Sequence, residues 1–273
     1  MKYEICYAVA CDTGKERTIN QDNFCCPDQQ YLNAINNGLD GVKSYKSCST
    51  AYPSFAVFDG MGGEQYGEVA ASIAAETFNE LNHNKKSDGI KDFLITSCRK
   101  MNNNITTYAK QKLINCIGTT VAMIIFGKKE ICACNIGDSR IYRYNNESLT
   151  QISKDHTIDI YKGNKPSLTQ FLGIPESEFT IEPHIVWKPY NDGDYYLICS
   201  DGLTDMLGEE EIESIIIENS DVKVCVENLL ENALSRGGRD NITIILCKIK
   251  RRNILSGALC HLIQKGYKYG IYS

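Results

Sequence analysis

The chain of 273 residues sets 29 Lys and Arg against 34 Asp and Glu, a net charge of −5, which excludes the broad basic footprint that binding duplex nucleic acid requires. Its 42% hydrophobic and 23% charged residues are those of a globular protein with one sizeable core. No apolar run reaches the ~18 residues of a membrane span, and the opening MKYEICYAVACD alternates like a strand rather than reading as a secretory leader. Thirteen cysteines would suit a disulfide scaffold, but the count is odd and no CxxC occurs. Cys6, Cys132, Cys134, Cys199 and Cys247 lie in strand-like apolar runs, where a free thiol packs as a small hydrophobe. The expectation is a reducing, cytoplasmic setting.

In chain order, Tyr3–Asp12 alternates as a strand and Gln21–Cys26 reads as its partner. Pro27–Tyr52 is polar and rich in Asn, Gly and Ser, a long excursion between strands. Phe55–Phe58 is a short apolar run stopped at Asp59-Gly60. Two helices follow. Val69, Ile73, Thr77 and Leu81 recur with helical period in the first, and Ile90, Leu94, Ser97, Met101, Ile105 and Tyr108 in the second, with Ser87-Asp88 as a capping signal. Beyond Ile117 the period drops to two. Thr119–Phe126, Ile131–Ile136, Arg140–Tyr144 and Leu149–Ile152 are joined by turns too short for parallel crossovers, which predicts an antiparallel meander. Thr180–Trp187, Tyr195–Cys199 and Ile242–Ile249 are further strands. Helices at Glu209–Glu218 and Asp221–Ser235, the latter closed by Gly237-Gly238, fall between the last two. Strands and paired helices in blocks predict an α+β sandwich, two antiparallel sheets covered by helices. Residues 251–273 form a basic C-terminal tail, read as a solvated terminus, with an anionic membrane or a partner as the alternative contact.

Four aspartates each end an apolar stretch beside glycine or a small polar residue: Asp59 in FAVFDGMGG, Asp138 in CNIGDSR, Asp201 in YLICSDG and Asp240 in GGRDN. Carboxylates at strand ends project into a cleft from rigid scaffolding, and several together stay ionised only with cations between them. Oxygen-only ligands select Mg²⁺ or Mn²⁺, and two such ions about 3.5–4 Å apart clamp a phosphoryl group during in-line displacement. Gly60 lets a backbone carbonyl approach an ion, and Gly62-Gly63 permit the turn into the helix. Arg17, in KERTINQDN, offers a planar fork suited to phosphate oxygens. None of the histidines, His83, His156, His184 and His261, stands at a paired spacing, so His156 is read as structural and no zinc site is expected.

CDTGKERTINQDN, VFDGMGG, IGTTVAM, NIGDSRIYRY, LICSDGLTDML and GGRDNITIILCKI, taken in that order, resemble the motifs of the protein phosphatase 2C family in its compact bacterial style. The resemblance runs from about Tyr3 to Lys250, which makes residues 1–250 the catalytic domain. It implies a four-layer αββα sandwich and hydrolysis of phosphoserine and phosphothreonine in proteins by a metal-activated water. It further implies that Asp59 bridges two metals, that Asp201 and Asp240 hold the first, and that the Gly60 carbonyl helps hold the second. Asp138, with Asp201, would hold a third ion, Asp22 would orient waters, and Arg17 would grip the substrate phosphate. The implied partners are phosphorylated proteins and a cognate Ser/Thr kinase, for a monomeric enzyme with no nucleic acid and no membrane span.

Three departures from the family pattern stand out. Gln21 replaces the usual glutamate, so the second metal is expected to bind less tightly. Met61 occupies the position where animal-type members carry a histidine that protonates the leaving group. The segment between Asp155-His156 and Leu168-Thr169-Gln170, where the family has a flap, is short. Two alternatives remain open on the sequence. One is a catalytically weak pseudophosphatase that binds phosphoproteins, for which Gln21 is the support. The other is a phosphoesterase acting on nucleotides or small phosphates, since such a site recognises phosphate rather than its attachment.

Overall fold

Near-continuous apolar runs place buried side chains on both faces of nearly every central strand, so each sheet must be covered twice. The computed structural model, which describes residues 3–27, 31–32, 38–47, 52–61, 66–83, 89–159 and 166–251, shows how. Its strands are β1 (Tyr3–Asp12), β2 (Asp22–Cys25), β3 (Lys43–Ser47), β4 (Ser54–Met61), β5 (Gly118–Thr119), β6 (Val121–Phe126) and β7 (Glu130–Ile136). They continue as β8 (Arg140–Tyr144), β9 (Leu149–Gln151), β10 (Thr157–Ile158), β11 (Ser167–Leu168), β12 (His184–Pro189), β13 (Tyr195–Cys199) and β14 (Ile242–Arg251). The helices are α1 (Gly67–His83), α2 (Ile90–Lys112), α3 (Asp201–Thr204), α4 (Glu209–Glu218) and α5 (Val222–Ser235). One sheet has the order β3-β1-β14-β13-β8-β9; the other has β12-β7-β6-β4-β2, with β5 beside β4. Pairing within both is antiparallel.

Alternation then fills three apolar layers. Ile5, Tyr7 and Val9 of β1 face Phe55 and Val57 of β4 and Ala122, Ile124 and Phe126 of β6 between the sheets. On the outer face of the second sheet, Ala56, Phe58, Met123 and Ile125 meet Ala70, Ala71, Ala74, Ala75 and Phe78 of α1 and Leu94, Cys98 and Met101 of α2. The four alanines let α1 lie close to β4 and β2, and Cys25 donates its thiol to the Ala75 carbonyl at 3.2 Å. On the other sheet Ala8, Ala10, Ile244 and Leu246 meet Ile212 and Ile216 of α4 and Cys225, Val226 and Leu229 of α5. The architecture is the expected αββα sandwich. Each fully buried Ile, Leu or Phe in these layers contributes about 1.5–3 kcal/mol.

Five details differ from expectation, the first being that Gln21–Cys26, expected to partner the first strand, supplies β2 to the other sheet beside β4. The Pro27–Tyr52 excursion contains β3, a polar edge strand whose KSYKS lacks an apolar face. The predicted meander breaks after β7: at Gly137, with φ +99°, the chain crosses to the other sheet, so β7 and β8 do not pair. The strand predicted from Thr180 starts only at His184, since Pro183 has no N–H to give a ladder. The second helix begins after Gly89, in left-handed conformation, while Ser87-Asp88 and Gly62-Gly63 lie outside the described residues, as does the tail beyond Arg251.

The topology sets up one functional end. The C-terminal ends of β4, β7 and β13, the N-terminal ends of β2, β8 and β14, and the end of β1 lie together, through the registers Asp22↔Asp59, Val121↔Ile136, Cys199↔Arg140, Cys199↔Ile244 and Asp12↔Ile242.

Candidate metal centre

Each singled-out carboxylate is brought to that end by its own element. Asp59 sits near the end of β4, opposite Asp22 at the start of β2. Asp201 follows β13 and opens α3, Asp240 precedes β14, and Asp138 stands on the corner where the chain changes sheets. Asp22 and Asp201 are buried; Asp59 and Asp138 keep partial access to solvent.

Proximity shows in their acidities. Burial, and then the charges of Asp201, Asp22, Asp138 and Asp240, push the Asp59 carboxyl well above the usual range. Burial likewise pushes Asp22 up to about 7; hydrogen bonds from Ser200 and Thr243 pull it down, and Asp201 and Asp240 push it up again. Five carboxylates from distant parts of the chain thus act on one another. Each is also held locally. Asp22 Oδ2 accepts the hydroxyls of Ser200 and Thr243, both at 2.7 Å. Asp240 accepts Arg17 Nη2 at 2.8 Å and its neighbour's amide, Asn241 N, at 2.8 Å. Among the described residues the side chains of three or more His, Cys, Asp or Glu do not converge as a closed ligand cage.

The local scaffold explains motif residues to which the sequence alone assigned no role. Asp59 N–H donates to Thr120 Oγ1 at 3.1 Å, and its carbonyl accepts Thr119 Oγ1 and Thr120 N, each at 2.9 Å. Thr120 Oγ1 lies 2.6 Å from Ser139 Oγ, tying the Asp59 strand to the Asp138 corner. That corner is fixed further by His156, whose Nδ1 accepts Gly137 N–H at 3.2 Å, while its backbone N–H donates to the Gly137 carbonyl at 3.0 Å. Burial holds its imidazole below the ordinary value, which suits a neutral, structural histidine. The signal for Thr119, Thr120, Ser139, Ser200, Asn241 and Thr243 was their place inside the aspartate-bearing motifs: short polar residues amid apolar strands, all buried here.

Gly60 has a reason beyond carbonyl access. A Cβ there would stand 2.1 Å from the Gly67 carbonyl oxygen and 2.5 Å from that of Gln21. Gly60 N–H donates to the same Gln21 oxygen at 3.0 Å. The Gln21 amide packs against Gly67 at the start of α1, within 2.7 Å of where a Gly67 Cβ would lie. Gly202 similarly lets Asp201 turn into α3, since a Cβ would meet the Asn241 carbonyl oxygen at 2.0 Å. Arg17, about half exposed, sits at the rim of the cluster through Asp240. Met61 ends β4, opposite Gly118. Of the shortened flap region, β10 and β11 form a two-stranded ribbon, and residues 160–165 between them lie outside the described set.

Clustered carboxylates offer oxygen donors alone, a chemistry that fits hard divalent cations. Comparisons with known proteins agree. A family model described as protein phosphatase 2C matches residues 44–236. The serine/threonine phosphatase stp of Listeria welshimeri is 31% identical over 222 residues, covering 74% of this chain and 86% of that protein. The crystal structure of the Mycobacterium tuberculosis serine/threonine phosphatase PstP/Ppp matches with TM-score 0.73 at 26% identity, over 90% of this chain and 99% of that one. A structure of the PstP catalytic domain in complex with two manganese ions matches with TM-score 0.71, also at 26% identity and over 90% and 99% of the two chains. With its motifs, its sandwich and its acidic end all in agreement, the chain belongs to the protein phosphatase 2C family.

Proposed function

We propose that this serine/threonine protein phosphatase hydrolyses phosphoserine and phosphothreonine in proteins with Mn²⁺ or Mg²⁺ as cofactor, reversing the work of a Ser/Thr kinase. The observation that carries the reading is that Asp59, opposite Asp22 in the strand register, stands with Asp201, Asp138 and Asp240 at one end of the sandwich, close enough for their charges to act on it. In this reading Asp59, Asp201, Asp240 and the Gly60 carbonyl would hold two ions, and Asp138 with Asp201 would hold a third. Bound ions would neutralise the clustered charge and make water nucleophilic near neutral pH. Arg17 binds the phosphoryl oxygens by its guanidinium, at the rim where it already pairs with Asp240. Asp22, its plane fixed by Ser200 and Thr243, orients attacking water. The oxygen of water joins phosphorus, the ester P–O bond breaks, and the serine or threonine oxygen takes a proton from solvent, because Met61 has none to give. The domain is residues 1–250, followed by the basic tail, and acts as a cytoplasmic monomer. No helix among the described residues is long and apolar enough to cross a membrane.

The test is turnover of a phosphothreonine peptide with Mn²⁺, with EDTA, and by Asp201→Asn. Activity that requires Mn²⁺, is abolished by EDTA and falls at least about a hundredfold in Asp201→Asn is expected, since one lost charge–charge contact at a reacting centre is worth several kcal/mol. Turnover indifferent to EDTA would end the metal-dependent reading. Faster turnover of nucleotides than of the peptide would end the assignment to phosphoproteins.

A further inference from the structure

We propose that Asn241 is the positioning residue that presents Arg17 to the substrate phosphate, an inference resting on the reading of Arg17 given above. The segment between β1 and β2 leaves the sheet at Asp12 and returns at Asp22, with Arg17 near its middle. A single side chain closes this loop. Asn241 Nδ2 donates to the Thr13 carbonyl at 2.8 Å and to the Ile19 carbonyl at 3.0 Å, and Asn241 Oδ1 accepts Gln21 N–H at 2.8 Å. A carboxamide is the short side chain that offers two donors and an acceptor in one rigid plane; here all three are used, on both ends of the loop.

The staple is registered to the acidic cluster through its neighbours. Lys15 N–H donates to the Gly238 carbonyl at 2.7 Å, on the turn before Asp240. Gly14, at φ +78°, brings the loop so near this turn that a Cβ would lie 2.3 Å from the Asp240 carbonyl oxygen. Asn241 is itself buried, 4% exposed, whereas Arg17 remains about half exposed, so the arginine is held by its loop and by Asp240 rather than by packing. A guanidinium on a loop pinned at both ends pays less entropy to meet a phosphate than one on a free loop. Asn241 does not touch the substrate in this account; it acts through Arg17.

The experiment combines Asn241→Ala, Arg17→Ala and the double variant, with Asn241→Ser as a milder change that keeps one hydroxyl for the loop. Steady-state kinetics on a phosphothreonine peptide with Mn²⁺, thermal-shift titration with Mn²⁺ alone and amide hydrogen exchange are read for each. Asn241→Ala is expected to raise KM about tenfold, the worth of one charge-assisted hydrogen bond, with kcat little changed. Exchange should quicken across Glu16–Thr18 while the half-saturating Mn²⁺ concentration stays put. In the double variant KM should equal that of Arg17→Ala alone, because a residue acting only through Arg17 has nothing left to position. KM effects that multiply, or a fall in kcat at constant KM, would overturn Asn241's role while leaving the phosphatase reading intact. Wild-type protein without Mn²⁺-dependent turnover would fail the phosphatase reading and the role together. If Asn241→Ala does not fold, Asn241→Ser carries the same comparison.

Discussion

Asp59 illustrates how one residue acquires chemistry from its surroundings. In sequence it is an aspartate before a glycine, indistinguishable from many turn residues. In the fold its backbone is clamped by Thr119 and Thr120 and its carboxyl is crowded by four others. The next residue is equally constrained. Gly60→Ala would drive a methyl group into the carbonyl oxygens of Gly67 and Gln21, both backbone atoms that cannot swing away. The variant should lose about 1–3 kcal/mol by strain, read as a lower midpoint in urea, and should weaken Mn²⁺ binding by shifting β4 from α1. The cysteines make a second residue-scale prediction. Ten of the eleven described thiols are buried and only Cys116 is exposed, and burial pushes Cys11, Cys132 and Cys199 up to about 12. Iodoacetamide on the native protein, mapped by peptide mass, should label Cys116 first among these eleven, the others only on unfolding.

At the scale of elements, the joint between β8 and the turn before β13 is the clearest case of polar groups fixing geometry inside the sandwich. Arg143 reaches Asp194 Oδ2 with Nη2 at 2.8 Å and Nε at 3.2 Å, and Asn191 N–H adds a third donor at 2.9 Å. Asp194 is 2% exposed and Arg143 18%. Removing the acid strands a buried guanidinium, so Asp194→Ala should cost about 3–5 kcal/mol. Chemical denaturation would show it, while kcat below the lowered melting temperature should hold, because the pair lies away from the acidic cluster. The exposed bridge of Arg236 with Glu211, by contrast, joins the end of α5 to α4 in solvent and is worth little.

For the whole molecule, gathering carboxylates at one end makes the metal-free fold sensitive to pH in an unusual direction. The Asp22 carboxyl rises from 3.8 to about 7 on folding, and Asp59 rises as well. Between about pH 4 and pH 7 the folded protein therefore binds more protons than the unfolded chain, and stability contributed by these groups falls as pH rises through that window. With EDTA present, the melting temperature should be higher at pH 5 than at pH 8. Saturating Mn²⁺ should reverse the order, since the ion replaces the protons and stabilises by about 2.7 kcal/mol at a hundredfold excess over its dissociation constant. Thermal melts at the two pH values, with and without the ion, measure both signs.

Periodicity alone determined the helices and the strands with two apolar faces, because a residue's burial within a regular element follows its spacing whatever the partner. It marked α1, α2, α4, α5 and the runs of β1, β6 and β14, and the motif aspartates stood out because each lies at or near the border of such a run. What spacing does not encode is which ends meet. The edge strand β3 lacks an apolar face to betray it, and the change of sheet at Gly137 depends on a backbone angle rather than a pattern. The three-way grip of Asn241 joins residues up to 228 positions apart. Partners and register over such separations are settled only when the two sheets pack, and that packing alone brought five scattered acids to one end of the fold.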